Sequence, residues 1–443
     1  MKKLKEDKTY EEISDFIASL ETSFNNHDGE NEGLFFNEVF FTLGDLGGLM
    51  LSGKESERYA YCKYLLLHTV DEELVNKKKV ESSFQQAILK VLNINGQHPE
   101  KLFSERLRLE IKELRRKLNS NPKKYEVFFP IRGLSDSSLP QKVGKIEFRN
   151  FDDEQLSKFS NIILSFSGDQ PEQSQRIKMA ESLREDKIFG NTVAVAEKKA
   201  LDPYAARFSA EKEISLTIDI INFFTSLTPN QNGNIFLPGE FEFDKFSIPI
   251  ISIENHPEFL YKYEVTGLNK NFSFEKLFEL DNENKFNFRK VSSILAFEEN
   301  KNEVENRLIS SMRWAGKAST ELKKEVAFLL YAISLESLIL LDNEKDELID
   351  RLSNRVALLI GNNLSNRKEI RSAMKELYDI RSKIVHSGSY QVTDIDLNTI
   401  RVYTQSCIYR ILTKEPFISM KGKNDFSNWF LEEIFKDKEI NIS

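Results

Sequence analysis

Apolar residues recur at helical spacing along most of this chain, and the exceptions gather in its middle third. In RLRLEIKELRRKL, residues 106–118, Leu107, Ile111, Leu114 and Leu118 fall on one stripe with charges around it, which predicts an amphipathic helix. Helical periodicity runs from residue 11 to residue 118 and stops at SNPKK, where Pro122 marks a boundary. Beyond it, YEVFFPI and KIEFRNF are short runs of β-branched and aromatic residues divided by a Gly/Ser/Pro-rich connection, and they predict strands. A helix over 154–164, a strand at NTVAVAEK and a longer helix over 203–227 follow. Residues 233–263 return to β-type composition, and the segment FLPGEFEFDKF within them is either a recognition surface or an ordinary half-buried sheet.

After Phe286 helical spacing resumes almost to the end. The patterns cover 289–313, 319–341, 345–360 closed by Gly361, 366–386 closed by Gly388, and 397–412. These patterns make the expected fold class α+β, predominantly helical, and 443 residues exceed one ordinary core, so more than one domain is expected. Three regions are expected. They are a helical N-terminal region over 1–121, an α+β middle region over 122–288, and an all-α helical bundle over 289–443.

Composition narrows the functional classes. Forty per cent apolar and 30% charged residues describe a soluble globular chain, and a net charge of -8 argues against a protein that binds nucleic acid over its whole surface. A local basic groove remains compatible. From Arg355 to Arg410 there are nine Lys or Arg and five acids, which suits either a polyanion groove or a solvated face. Cys62 and Cys407 are the only cysteines, so neither a disulfide framework nor a thiolate metal site is expected. His27, His68, His98 and His256 lack neighbours at metal-ligand spacing, so no metal or other cofactor is expected. The N-terminal MKKLKEDKTYEE has no apolar signal core, and polar residues interrupt VAFLLYAISLESLILL too early for a membrane span. The expected compartment is cytoplasmic, with no membrane partner. GLMLSGKES approaches a phosphate-binding loop, but Glu55 stands where a Ser or Thr hydroxyl would serve Mg²⁺, so Gly53 is expected to cap the end of a helix instead. NFDDEQ and DNEKDE are expected to be solvated or helix-starting acids.

One stretch carries candidate chemistry. On the helix that ends in KELYDIRSKIVHSG, Ile370, Ala373, Leu377, Ile380 and Ile384 form an apolar stripe, Arg381 lies at its border and His386 nearly opposite. Loosening of the helix near Ser387 and Gly388 would turn His386 back toward Arg381. From the residues alone two accounts stay open. In one, His386 satisfies helix-terminal carbonyls and Arg381 makes a surface ion pair; in the other, the two form a chemical pair.

AISLESLILLD, RLSNRVALLIG and KELYDIRSKIVHSG, in that order and with SSMRWAGKAS upstream, resemble the Apea-like branch of the HEPN family over residues 304–412. The resemblance implies a small helical bundle and a metal-independent ribonuclease whose Arg-x4-6-His motifs line one cleft between two protomers. Many such proteins act in bacterial antiviral and toxin systems. On this chain it implies Arg381 and His386 as catalytic residues. Glu336 falls on the polar position of the LE block, or is a structural carboxylate, and Arg355 supports the cleft, or makes a structural ion pair. Ser382 follows the motif arginine, where family members often carry Asn, Asp or His. Tyr378 and Lys383 flank the motif, with Lys383 placed to hold phosphate. Tyr390 comes four residues after His386, which departs from the pattern of toxins paired with a nucleotidyltransferase antitoxin. The chemistry suits the residue types: attack by an RNA's own 2'-hydroxyl needs a base, an acid and positive charge at phosphate. Histidine, with an ordinary pKa of about 6.5, supplies the first two, and a bidentate guanidinium supplies the third. The implied partners are RNA, with tRNA among the candidates, a second copy in a homodimer or higher even oligomer, and a phage-derived trigger sensed by the regions before the bundle. The alternative expectations are a non-catalytic HEPN module for RNA binding or assembly, and a scaffold for protein partners.

Overall fold

A computed structural model describes residues 2–26, 39–42, 48–51, 53–70, 74–92, 102–134, 138–165, 173–185, 192–227, 235–237, 243–252, 257–265, 272–282, 286–297, 301–340, 348–387 and 390–439. The fold is α+β and mostly helical. Its contacts divide the chain into two units, Met1–Val127 with Glu197–Ala210 and Ile250–Leu260, and Phe128–Ala196 with Glu211–Pro249 and Tyr261–Ser443.

The first unit opens with α1 (Lys2–Asn26), a hairpin of β1 (Val39–Thr42) and β2 (Gly48–Leu51), α2 (Gly53–Thr69), α3 (Lys77–Val91) and α4 (Phe103–Leu118). Stripes at helical spacing meet in one core: Ile13, Phe16 and Ile17 from α1, Tyr59 and Leu66 from α2, Phe84 and Ile88 from α3, Leu114 and Leu118 from α4. The Tyr59 and Phe84 rings stack with centroids 5.4 Å apart. The hairpin is not foreshadowed by the helical periodicity around it, and it corrects the expectation for Gly53. Gly48–Leu51 is a strand paired antiparallel with β1, and Gly53 begins α2 rather than ending a helix. A tight turn from strand to helix uses glycine at the helix start as readily as a helix end does, so composition alone misplaced it.

The chain continues through β3 (Lys123–Pro130), β4 (Gln141–Val143), β5 (Ile146–Asn150), α5 (Asp153–Ser165), α6 (Gln173–Glu185), β6 (Thr192–Ala200), α7 (Pro203–Ser226), β7 (Phe243–Ser252) and β8 (Pro257–Val265). Within the first unit β3 pairs antiparallel with β7, Tyr125 opposite Ser252. Most of the expected recognition segment FLPGEFEFDKF lies outside the described residues or their described side chains. Within the second unit β4, β5 and β6 form an antiparallel run, with Gln141 opposite Phe148 and Phe148 opposite Ala194. Asp152 accepts a hydrogen bond from the Gln155 backbone and starts α5, as expected for NFDDEQ, whereas DNEKDE lies outside the described residues. Phe128, Phe151 and Phe159 then pack edge to face, the Phe128–Phe159 centroids 4.9 Å apart.

The remainder of the second unit is helical: α8 (Phe274–Asn282), α9 (Phe288–Ala296), α10 (Glu303–Thr320), α11 (Lys324–Ile339), α12 (Leu348–Ile360), α13 (Leu364–Ser387), α14 (Asp394–Thr413) and α15 (Lys423–Glu439). The single helix expected over 289–313 is two. Asn302 caps α10 by accepting from the Glu305 backbone, and the Glu305 carboxylate accepts from the Asn302 N–H in return, so a new helix starts inside the pattern. Gly361 does follow α12, and there a Cβ would lie 2.5 Å from Arg367 Cγ. Gly388, expected to close α13, lies outside the described residues.

The bundle shares its packing with α7 and β4. A Cβ at Gly316 of α10 would overlap the backbone carbonyl of Asp219 on α7. Ser319 donates to the Asn222 carbonyl at 3.4 Å, Gln405 of α14 donates to Ser226 Oγ at 3.0 Å, and Gly144 N–H donates to Ser292 Oγ of α9 at 3.0 Å. Residues 219–226 of α7 therefore pack with α10 and α14.

Candidate functional site

Helix α13 is held by its apolar face. Ile370, Met374, Leu377 and Ile380 are buried, and Ala373 and Ile384 half-buried, which reproduces the stripe and adds Met374 to it. Arg381 sits at the border of this face, with its side chain 30% exposed. Its Nε lies 3.4 Å from Glu336 Oε1 on α11, and its guanidinium carbon is 5.6 Å from the Tyr378 ring centroid. The Tyr378 hydroxyl donates to the same Glu336 oxygen at 2.9 Å. Burial, followed by the adjacent Glu336 carboxylate, pushes the Tyr378 phenol well above its ordinary range. Glu336, Tyr378 and Arg381 thus form one cluster across α11 and α13.

His386 is elsewhere on the same helix. It is exposed, in the last turn of α13, and no hydrogen bond or ion pair to it forms among the described residues. The helix does not loosen before His386, because α13 continues through Ser387. Five residues of α-helix turn the two side chains about 140° apart and separate them by about 7.5 Å along the axis. His386 and Arg381 of one protomer therefore face different directions. The position of His386 suits the negative end of the helix dipole. Ser382 is half-buried between them, and Lys383 is exposed with its ammonium 5.6 Å from the Tyr390 ring centroid.

Arg355 serves packing. Its Nη1 donates to the carbonyl of Ile339, the last residue of α11, at 3.0 Å, and its guanidinium lies 5.1 Å from the Phe430 ring centroid of α15. The basic excess from 355 to 410 is also partly neutralised by acids outside that window. Arg371 and Lys375 reach Asp350 of α12 at 2.9 and 2.6 Å, and Arg367 reaches Glu433 of α15 at 3.1 Å. Lys375 first, then Arg371, holds the Asp350 carboxyl below its ordinary range. Lys368 and Lys383 remain exposed.

Several features are not visible in the motif itself. Val385, Ile395 and Leu322 are 51%, 78% and 79% exposed. The start of α14 is tied to the start of α11 by Lys324–Asp394 at 2.8 Å, which places Ile395 and Leu322 at one end of the bundle. Large apolar side chains left in water are the signal, and it needs the fold to be read. Among the described residues no group of three His, Cys, Asp or Glu is placed to hold a metal ion, and no helix is long and apolar enough to cross a membrane. His68 has its Nδ1 2.8 Å from the Tyr64 carbonyl, while His27, His98 and His256 lie outside the described residues. No family model, curated protein or solved structure matches this chain.

Proposed function

We propose that this chain is a metal-independent endoribonuclease of the HEPN type, acting as an effector of bacterial anti-phage defence. The observation that carries the proposal is the arrangement on α13, where a guanidinium is steadied on its inner edge by Glu336 and an imidazole stands in solvent at the helix end. Arg381 would grip phosphate oxygens and stabilise the charge that grows on them during attack. One His386 would take the proton of the RNA 2'-hydroxyl as its oxygen attacks the adjacent phosphorus. A second would give a proton to the departing 5'-oxygen, leaving a 2',3'-cyclic phosphate and a 5'-hydroxyl. Each protomer offers one such histidine, and Arg381 and His386 face apart on it, so the reaction calls for a composite cleft in a homodimer. The exposed Leu322 and Ile395 at one bundle end, with Val385 beside His386, support pairing of two copies there. The regions before the bundle would delay cleavage until a phage component appears, since an unrestrained ribonuclease harms its host.

A second reading is favoured by the same cluster. Arg381 engaged with Glu336 and Tyr378 suits a non-catalytic HEPN bundle used for RNA binding or assembly, in which the arginine joins α13 to α11. One experiment separates the two. The purified protein is incubated with total RNA, tRNA included, with and without EDTA, and new ends are sequenced by their chemistry. Cyclic phosphate ends in EDTA support the ribonuclease; bound but intact RNA supports the module.

A further inference from the structure

Tyr378 makes no hydrogen bond to Arg381 or His386, yet its hydroxyl engages the carboxylate oxygen that Arg381 Nε faces. A guanidinium offers an inner Nε edge, an outer fork of Nη1 and Nη2, and two flat faces. In Arg381 the inner edge is buried, 3.4 Å from Glu336 Oε1, and its N–H makes no hydrogen bond. The guanidinium carbon lies 5.6 Å from the Tyr378 ring centroid, and no hydrogen bond to Nη1 or Nη2 forms among the described residues. Glu336 Oε1 therefore has two claimants. The Tyr378 hydroxyl holds the short contact, 2.9 Å, and Arg381 keeps a distance longer than the roughly 2.7–2.9 Å of a formed charge-assisted bond.

We propose that Tyr378 is a positioning residue for Arg381: its hydroxyl restrains Glu336 from pairing fully with the guanidinium, so the carboxylate orients Arg381 without consuming its charge, and the outer fork stays open for two phosphate oxygens. The phosphate part rests on the ribonuclease reading; the positioning part stands on the contacts alone. Tyr378→Phe keeps the ring beneath the guanidinium and removes the competing donor, so Glu336 turns wholly to Arg381 Nε. The arginine is then tied more tightly and is less available to a developing negative charge. Glu336→Gln does the reverse to the inner edge, because a neutral amide attracts the guanidinium less.

Two readouts test this on the full-length protein. The first is the Nε–Hε resonance of Arg381 in arginine-¹⁵N-labelled protein, assigned by its loss in Arg381→Lys. Tyr378→Phe is expected to slow the exchange of that proton with water roughly fivefold, the worth of one net hydrogen bond, and Glu336→Gln to quicken it. The second is RNA cleavage, in which Tyr378→Phe is expected to lower kcat roughly fivefold to tenfold with KM within about twofold. A ring that only packs would leave both readouts at the wild-type value in Tyr378→Phe, and that result overturns the proposal even if the protein cuts RNA. If the resonance responds as expected while wild-type protein cuts no RNA, the positioning stands and the ribonuclease reading fails.

Discussion

Arg381 and His386 make opposite demands on their surroundings. A guanidinium that must hold one direction needs a carboxylate and a flat partner, and α11 and α13 bring Glu336 and Tyr378 to it. On the ribonuclease reading the imidazole would meet its substrate from solvent and needs no fixed partner, and His386 has none among the described residues. The difference gives a stability prediction. His386→Ala should leave unfolding within about 0.5 kcal/mol of wild type, because an exposed side chain is removed. Arg381→Ala should cost about 1 kcal/mol, since a partly exposed ion pair and a cation–π contact go together. Urea titration of both variants checks this, and a large loss in His386→Ala would mean the histidine is structural. At this scale the apolar stripe and the border position of Arg381 were legible in the sequence, because helical periodicity alone sets them. The ties of Arg371 and Lys375 to Asp350, and of Arg367 to Glu433, were not, since those acids are brought near by α12 and α15.

Elements are joined here by close approach and by a few charges. Gly316 lets the α10 backbone lie against the α7 carbonyl of Asp219, and neither backbone can yield to a methyl group. Gly316→Ala should therefore destabilise the second unit by about 3 kcal/mol despite the helix preference of alanine, which calorimetry of the full-length protein would register. Helix α15 is tied to α13 by Arg367 and Glu433. Burial alone would raise the Glu433 carboxyl, but the hydrogen bonds and charges of Lys436 and Arg367 outweigh it and hold the group below its ordinary value of 4.5. A lowered folded-state pKa means the contribution is complete above about pH 4.5 and disappears as pH falls through the lower folded value. Glu433→Gln should thus be less stable than wild type by about 1 kcal/mol at pH 7, and the gap should close on acidification. A gap that widens toward low pH would contradict the assignment. Helix positions from Phe286 to residue 412 were largely readable from spacing, yet the break between α9 and α10 was not, and α15 was not among the expected helices. The capping exchange of Asn302 and Glu305 interrupts a run whose apolar spacing gives no sign of it.

Contacts divide the molecule into two units, and the chain passes from one to the other within β3, β6, α7, β7 and β8. The spacing of apolar residues conveyed its class, α+β and mostly helical, but not which distant segments share a core. Residues 211–226 of α7 pack with α10 and α14, a pairing that no local pattern encodes. The ribonuclease account further requires two copies, and the exposed Ile395 and Leu322 are where they would meet. Ile395→Asp should therefore yield a folded monomer by sedimentation with strongly reduced cleavage; a monomer with full specific activity would remove the composite cleft. The most direct test of the central claim is end mapping of RNA incubated in EDTA with wild-type, Arg381→Ala and His386→Ala proteins at matched folding. The account predicts 2',3'-cyclic phosphate and 5'-hydroxyl ends from wild type and at least about a hundredfold fewer from either variant. Cleavage undiminished in both variants, or none from the wild-type dimer under any trigger, would contradict it.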